Sequence, residues 1–366
     1  MVKQMSGQSP FETFKIYKEN YMWVRTMAVT IKDVARETNL AISTISKYMN
    51  GGNVKPRNRV VIEAAIQKLG YQPNNAARGL RSAKTYTVGI AIDSLESQFL
   101  AKITAHIEKI LKEKGYSLLL CCHRGNAQEA QRAVKFLTDK QVDGIIFSYA
   151  MHSEVDFFVS ARERKIPVVL ADCLSQHTPC DSVMSNSAAG TYAAVEYLIG
   201  QGHRQIAILS GTSEKIPERF TAKDRMKGFL RAMEDYDIPV PKEYIEKGDF
   251  TFESGYKCMQ KIWKLKKRPT AVFVSNYNMC LGAMTAVHNL NIEIPRDLSL
   301  VTFDDMEFSI MSRPSLTSVR QPIEMIARNC VELVLKRMEG DYTDFPKNLK
   351  LPTTFKERES VLKIIS

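Results

Sequence analysis

The sequence predicts a small all-α unit with a helix-turn-helix pattern, followed by two α/β lobes. Three observations carry that fold class. The stretch Thr30 to Gly51 (TIKDVARETNLAISTISKYMNG) reads as two short helices joined by a tight turn. From Thr85 onward, short β-branched or aliphatic runs alternate with amphipathic helices in two successive series, the signature of parallel, doubly wound sheets. Charge is uneven: the 366-residue chain carries a net +11, and Met27 to Thr85 holds ten Lys/Arg against three Asp/Glu. Such a concentration is the electrostatic footprint of polyanion binding, with a solvated basic surface as the bland alternative.

Residues 1–26 show no capped, periodic pattern and read as a disordered arm or a misplaced translation start. A partner-binding arm using Phe11, Phe14, Tyr17, Tyr21 and Trp23 is the other reading. Residues 27–72 form the helical unit. Thr30 can cap a helix with Asp33 at its third position, a capping-box variant, and Ile31, Val34 and Ala35 form its apolar stripe. Asn39 tolerates the left-handed conformation that the turn needs. The second helix starts near Ala41 or Ile42, turns Ile45, Tyr48 and Met49 inward, and stops at Asn50-Gly51-Gly52. A third helix, Pro56 to Leu69, is expected to turn Val60, Val61, Ala64 and Leu69 inward and to end at Gly70.

The outer face of the second helix is unusual. Ser43, Ser46, Lys47 and Asn50 are small or polar where a surface helix would normally carry Glu and Lys pairs. Such a face can lie deep in a major groove and reach base edges or phosphates. A generic three-helix bundle fits the apolar pattern equally well but leaves the charge bias and the bare face unexplained. In residues 73–85, Pro73 sets a break, Asn74 can cap, and Asn75 to Leu80 makes barely two helical turns, too short to be stable alone. That segment is a candidate for folding on binding. Its bulky apolar residue, Leu80, has no local partner and could also pack on the next domain.

Residues 86–366 hold the two lobes. The first series runs YTVGIAI, Phe99 to Lys114, YSLLLCC, Asn126 to Lys140, DGIIFS, His152 to Arg164 and IPVVLAD. The second runs Ala188 to Gly200, QIAILSG, Glu218 to Tyr236, GDF, Glu253 to Lys266, TAVFVSN, Tyr277 to Leu290 and SLVTFDD. Two such lobes imply a cleft where the strand carboxyl ends face each other.

Several function classes are excluded at this stage. No apolar run approaches the roughly 20 residues needed to span a bilayer, and the N-terminus lacks signal-peptide order, so a cytoplasmic protein without membrane contact is expected. Seven scattered cysteines give neither a disulfide framework nor a zinc module; Cys173, His177 and Cys180, or Cys121, Cys122 and His123, lack companions to complete four ligands. There is no P-loop, G-x-S-x-G elbow or G-x-G-x-x-G after a strand, so no enzyme and no cofactor are expected. Asp304-Asp305 could suggest paired carboxylates, but adjacent strand residues point to opposite faces. His203 sits in a turn and reads as structural. A solute-binding protein would share the lobes but needs a signal peptide and no basic headpiece.

The motifs TIKDVA, ISTISKYMNG, LGYQPNNAARGLRS, TYTVGIAI, QVDGIIF, GHRQIAIL, GDFTFESGY, IPRDLSLVTFDD and PSLTSVRQP, in this order and spacing, resemble the lactose-repressor (LacI/GalR) family of bacterial transcription regulators, over Met27 to the C-terminus. The resemblance implies a helix-turn-helix headpiece, a hinge helix and a two-lobed sensor of the periplasmic-binding-protein type, working as a homodimer on a near-palindromic double-stranded DNA operator. Recognition positions fall on Ile42, Ser43 and Lys47, with Thr30, Thr44, Ser46 and Asn50 near phosphates. Leu80 falls on the leucine that wedges the minor groove open, with Asn74, Ala77 and Arg78 on the same hinge. Effector-facing positions fall on Asp93, Phe99, Ser148, Asp172, Arg225, Phe250, Asn276 and Asp304, a set suited to a sugar-like small molecule.

This sequence departs from the family pattern at several points. Lys47 replaces the usual Arg and loses its bidentate fork, Gly79 replaces Ser in the hinge, and Tyr277 stands where sugar-binding members carry Asp. Ser97-Gln98-Phe99-Leu100 replaces Asn-Pro-Phe-Phe. The alternative implied role is a catabolite-control-type regulator governed by a protein partner.

Overall fold

The computed structural model describes residues 29–49, 52–71, 84–149, 155–175, 178–211 and 220–364. The chain divides into two compact units, Met1–Arg78 and Gly79–Ser366. Expectations for residues 1–26 and for the hinge segment Asn74 to Leu80 fall outside the described residues.

The N-terminal unit contains α1 (Ile31–Thr38), α2 (Ile42–Met49) and α3 (Pro56–Leu69). Thr30 starts α1 as the spacing predicts: its backbone N–H and its hydroxyl donate to the Asp33 carboxylate at 2.9 and 2.7 Å. Asn39 closes α1 in the left-handed region, φ 52°, and Gly70 does the same for α3 at φ 59°. The core is small, with Val34, Ile45, Ile62 and Ala65 at its centre. In a core of this size one methyl group is felt. Ile45→Val is expected to cost about 1 kcal/mol, read as a lower melting point of the N-terminal unit with the melting of the larger unit unchanged.

The inward face of α3 differs from expectation. Val60 and Val61 are exposed and Ala64 also faces solvent, while Ile62 and Ala65 are buried, with Ile66 and Leu69 packed beside them. The segment holds two competing stripes. The stripe Ile62, Ala65, Ile66, Leu69 follows the i, i+3, i+4, i+7 period over its whole length and buries the two bulkier isoleucines, so it sets the helix phase.

The larger unit has two six-stranded sheets. The first lobe orders its strands β11-β5-β4-β3-β1-β2, from β1 (Thr87–Ile92), β2 (Ser117–Cys122), β3 (Gly144–Phe147), β4 (Val168–Ala171), β5 (Asp181–Ser185) and β11 (Asn348–Leu351), all parallel. The second orders them β12-β10-β9-β8-β6-β7, from β6 (Ile206–Ser210), β7 (Ile245–Lys247), β8 (Ala271–Val274), β9 (Ser299–Phe303), β10 (Thr317–Arg320) and β12 (Thr354–Lys356), with β12 antiparallel to β10. The helices of the first lobe are α4 (Gln98–Glu113), α5 (Ala127–Asp139) and α6 (Val159–Glu163). Those of the second are α7 (Ser187–Gly200), α8 (Phe220–Asp235), α9 (Phe252–Trp263), α10 (Tyr277–Asn289) and α11 (Glu307–Met311).

Three passages of chain join the lobes: β5 to α7, β10 to α12 (Ile323–Met338), and β11 to β12. Helix α12 returns to pack on α4 and on β3, β4 and β5 of the first lobe. At the passages, Asn186 N–H donates to Leu351 O at 2.8 Å and Ser185 Oγ donates to Gln321 Oε1 at 2.6 Å. The expected alternation is present in both lobes, but β5, β10, β11, β12, α11 and α12 were not anticipated, and GDF is a loop, the strand lying just before it at Ile245–Lys247. Short strands that depend on a non-local neighbour carry little local signal. The segment DSVMS is mostly small and polar, and its partners β4 and β11 lie far apart in sequence.

Candidate functional site

On the N-terminal unit, Ser43 and Lys47 are exposed on α2, Ile42, Thr44 and Ser46 are half-buried beside them, and Thr30 is exposed at the start of α1. The carboxylates of this unit pair elsewhere among the described residues: Asp33 with Arg36, Glu63 with Arg59 and Glu37 with Lys68. The α2 face is therefore left with Lys47 and small polar side chains, and no described anion competes for it. Asn50, Asn74, Ala77, Arg78 and Leu80 lie outside the described residues.

In the larger unit, a cleft of ≈ 720 Å³ is lined by all eight of the expected effector-facing residues. Five of its lining residues are placed by one rule: the residue that follows a strand's carboxyl end turns into the cleft. Asp93 follows β1, Ser148 follows β3, Asp172 follows β4, Asp304 follows β9 and Gln321 follows β10. Four of the non-glycine lining residues hold the left-handed region, Arg124 at φ 51°, Asp172 at φ 56°, Phe250 at φ 68° and Asp304 at φ 76°, a backbone conformation that clusters at functional sites.

Each side chain is held by specific neighbours. Asp304 accepts from Gln321 Nε2 at 2.5 Å and from the Tyr277 N–H at 3.2 Å. The other amide atom of Gln321, Oε1, accepts from Ser185, so one side chain links a cleft carboxylate to two of the passages between lobes. Asn276 caps α10, accepting from Met279 N–H at 3.0 Å, and donates to Phe250 O at 3.3 Å. Phe250 packs against Gly211, where an added Cβ would sit 1.9 Å from its ring. Arg225, 3% exposed, stacks 3.8 Å from the Phe303 ring and donates from Nη1 to Ser275 O at 2.6 Å. Phe99 is largely a core residue that also lines the cleft.

The electrostatics are unusual at two points. Burial pushes the Asp172 carboxyl up to about 7; Arg225 opposes this, while Asp304, Asp224 and Asp93 add to it. His123, at the end of β2, is buried with Nε2 2.8 Å from Ser148 O and Nδ1 3.3 Å from the Asp93 carboxylate, and burial holds its pKa below the ordinary imidazole value. Asp305 faces away from the cleft, its side chain buried against Ser318, Arg320 and Arg358, so the adjacent pair Asp304-Asp305 shares no site. His203 is structural, bridging Thr270 and Leu362. Among the described residues no His, Cys, Asp and Glu group is arranged to hold a metal ion.

Sequence reasoning missed Gln321, Arg124, Asp249 and the positioning of Asp93 by His123. Gln321 and Arg124 directly follow, or nearly follow, β10 and β2, so the strand-end rule would have found both once those strand ends were placed. The departure at Tyr277 also acquires a place. Tyr277 and Met306 pack into the first-lobe core cluster that contains Phe99, Leu100 and Ile103, and Lys102 pairs with Glu307 beside them. Apolar contact thus joins the lobes at the cleft rim.

Fold and site together define a class of protein, a helix-turn-helix unit joined to a two-lobed periplasmic-binding-protein-like sensor. Comparison with known families agrees: the model for bacterial regulatory proteins of the lacI family matches residues 30–74, and that for the periplasmic binding protein-like domain matches residues 195–361. Catabolite control protein A of Priestia megaterium is 35% identical over 91% of this chain and 99% of its own length. The HTH-type transcriptional repressor PurR of Pectobacterium carotovorum is 33% identical over 91% and 96%. The crystal structure of the Lac repressor dimer bound to operator and the anti-inducer ONPF superposes with a TM-score of 0.80 at 28% identity, over 92% of this chain and 99% of that one. A complex of the transcriptional regulator CelR with cellobiose gives 0.68 at 26% identity, over 91% and 99%. The chain belongs to the lacI family and is a DNA-binding transcriptional repressor rather than an enzyme.

Proposed function

We propose that this repressor acts in the cytoplasm as a homodimer on a near-palindromic operator, and that a hydroxylated small molecule in the cleft sets its DNA affinity. The observation that carries the reading is the cleft itself, where Asp93, Asp172, Arg225 and Asp304 converge from both lobes and Gln321 joins Asp304 to the passages between them. A ligand that engages Asp304 competes for, or reinforces, the Gln321 amide, and so biases how the lobes close. Coupling of this kind is typically worth about 1–3 kcal/mol in affinity. The Lac repressor dimer on its operator and CelR with cellobiose are the supporting relatives.

On the DNA side, Ile42, Ser43 and Lys47 read base edges, while Thr30, Thr44, Ser46 and Asn50 contact phosphates. Residues 73–85 form the hinge, in which Asn74, Ala77 and Arg78 follow the backbone and Leu80 wedges the operator centre. The experiment is selection of operators from genomic fragments, then salt-matched titration of the selected site and of random DNA. Leu80→Ala is expected to weaken specific binding far more than non-specific binding; equal loss of both removes the wedge assignment. One observation favours a second reading, control mainly by a protein partner: the lobes already meet through Tyr277, Met306, Phe99 and Leu100 with the cleft rim joined. A sensor closed in this way needs less help from a ligand, and pull-down with purified repressor on operator DNA separates the two.

A further inference from the structure

The chain that enters the first lobe is gripped before its first strand begins. Strand β1 starts at Thr87, and the two residues ahead of it, Thr85 and Tyr86, are both held by one carboxylate. Asp143, immediately before β3, accepts from the Thr85 N–H through Oδ1 and from the Tyr86 N–H through Oδ2, each at 2.7 Å. The Thr85 hydroxyl lies 2.9 Å from Gln141 O and 3.1 Å from the same Oδ1. The Asp143 N–H donates to Thr87 O at 2.8 Å, and the Ser117 N–H donates to Tyr86 O at 2.8 Å. Hydrogen bonds to a carboxylate are roughly twice as strong as those between neutral groups, so the grip fixes both peptide groups.

Tyr86 adds a second, independent feature. It holds the left-handed region at φ 52°, which a bulky residue adopts only where its surroundings impose it. Its ring packs on Tyr116, 5.7 Å between centroids. One left-handed residue turns the chain, so the conformation at Tyr86 sets the direction in which residues 73–85 leave the lobe.

The grip also joins that direction to the cleft. Asp143 leads into β3 and Tyr86 into β1, and these neighbouring parallel strands are followed by Ser148 and Asp93, which line the cleft. A contact that served the sheet alone would need neither the left-handed Tyr86 nor a carboxylate aimed at two residues ahead of the ladder. Both features act on the chain that precedes them.

We propose that Asp143 is a positioning residue for operator recognition: it fixes the exit of residues 73–85 on the first lobe, and specific DNA affinity depends on it although it belongs neither to the helix-turn-helix unit nor to the cleft. This rests on the operator and hinge reading above and adds the residue that joins hinge to sensor.

The test is salt-matched titration of the full chain on the selected operator and on random DNA, with the melting point of the larger unit measured alongside. Asp143→Asn leaves one acceptor oxygen where each of two N–H groups needs its own. It is expected to weaken specific binding about tenfold, a difference of about 1.4 kcal/mol, with non-specific binding unchanged. Thr85→Ala removes only the hydroxyl contacts; it is expected to give a smaller loss of the same kind and serves if Asp143→Asn does not fold. Ile107→Val, in the core of the same lobe, controls for stability: it is expected to lower the melting point and to leave specific affinity unchanged. Unchanged specific affinity in Asp143→Asn and Thr85→Ala overturns the assignment. So does equal loss on operator and random DNA, or a loss in Ile107→Val as large as that in Asp143→Asn. A parent chain that does not prefer the selected site over random DNA overturns the operator reading itself, and the role of Asp143 with it.

Discussion

Replacing Arg337 by Met is expected to destabilise the larger unit by about 3–5 kcal/mol, the usual consequence of removing one partner of a buried ion pair. Arg337 and Asp181 are both buried, and the guanidinium donates through Nε at 2.7 Å and Nη2 at 3.0 Å to the two carboxylate oxygens. Asp181 also accepts from the Lys347 N–H at 2.7 Å. One carboxylate therefore ties the end of α12 to β5 and to the chain entering β11. Without Arg337 it would remain buried and charged, with a single backbone donor. Urea unfolding of the larger unit measures the loss. Arg337 also pairs with Asp344 and donates to Asp341 O, so adding Asp181→Asn to Arg337→Met is expected to recover only the part of the loss that lies in the orphaned Asp181 carboxylate; a double variant less stable than Arg337→Met alone would show that this carboxylate is not the source of the damage.

Asp172→Asn is expected to change how stability depends on pH. With the Asp172 carboxyl raised to about 7 in the folded protein, the native state keeps a proton that the unfolded chain releases near the ordinary carboxylate value. Its contribution is fully present in acid, declines as pH rises through that interval, and is lost above about pH 7. The groups that set this field are Arg225 and Asp224 from α8, Asp304 after β9 and Asp93 after β1. At about 1.4 kcal/mol per unit the penalty at pH 8 is on the order of a few kcal/mol. Ligand-free Asp172→Asn is therefore expected to melt above the parent protein at pH 8 and to lose that advantage at pH 4. Parallel melting curves for the two proteins across this range would show that Asp172 titrates normally.

The two stretches of sequence that were read in most detail behave differently in the structure. In the N-terminal unit, local signals sufficed for the capping pair Thr30 and Asp33, the left-handed Asn39 and the buried Ile45. Each depends on residues within a few positions. The face of α3 did not follow, because two apolar stripes compete in PRNRVVIEAAIQKL and the one that carries Ile62 and Ile66 is the one buried. In the larger unit, the strands buried between helices were legible from their aliphatic runs, whereas DSVMS and the short C-terminal strands were not. They pair with strands distant in sequence: β11 with β5 across more than a hundred residues, and β12 with β10 across more than thirty.

The sequence by itself determined the class of fold, the site of the excess positive charge and the family resemblance, because periodicity, capping and composition are written locally. The resemblance already grouped the cleft residues, and only the tertiary structure decided that Gln321 joins this cleft to the passages between lobes, and that Asp172 and Arg225 each keep an unsatisfied atom there. Parallel sheets bring strand ends together across long stretches of chain, and the burial that shifts a carboxyl group or leaves a donor without an acceptor exists only once both lobes have packed around it.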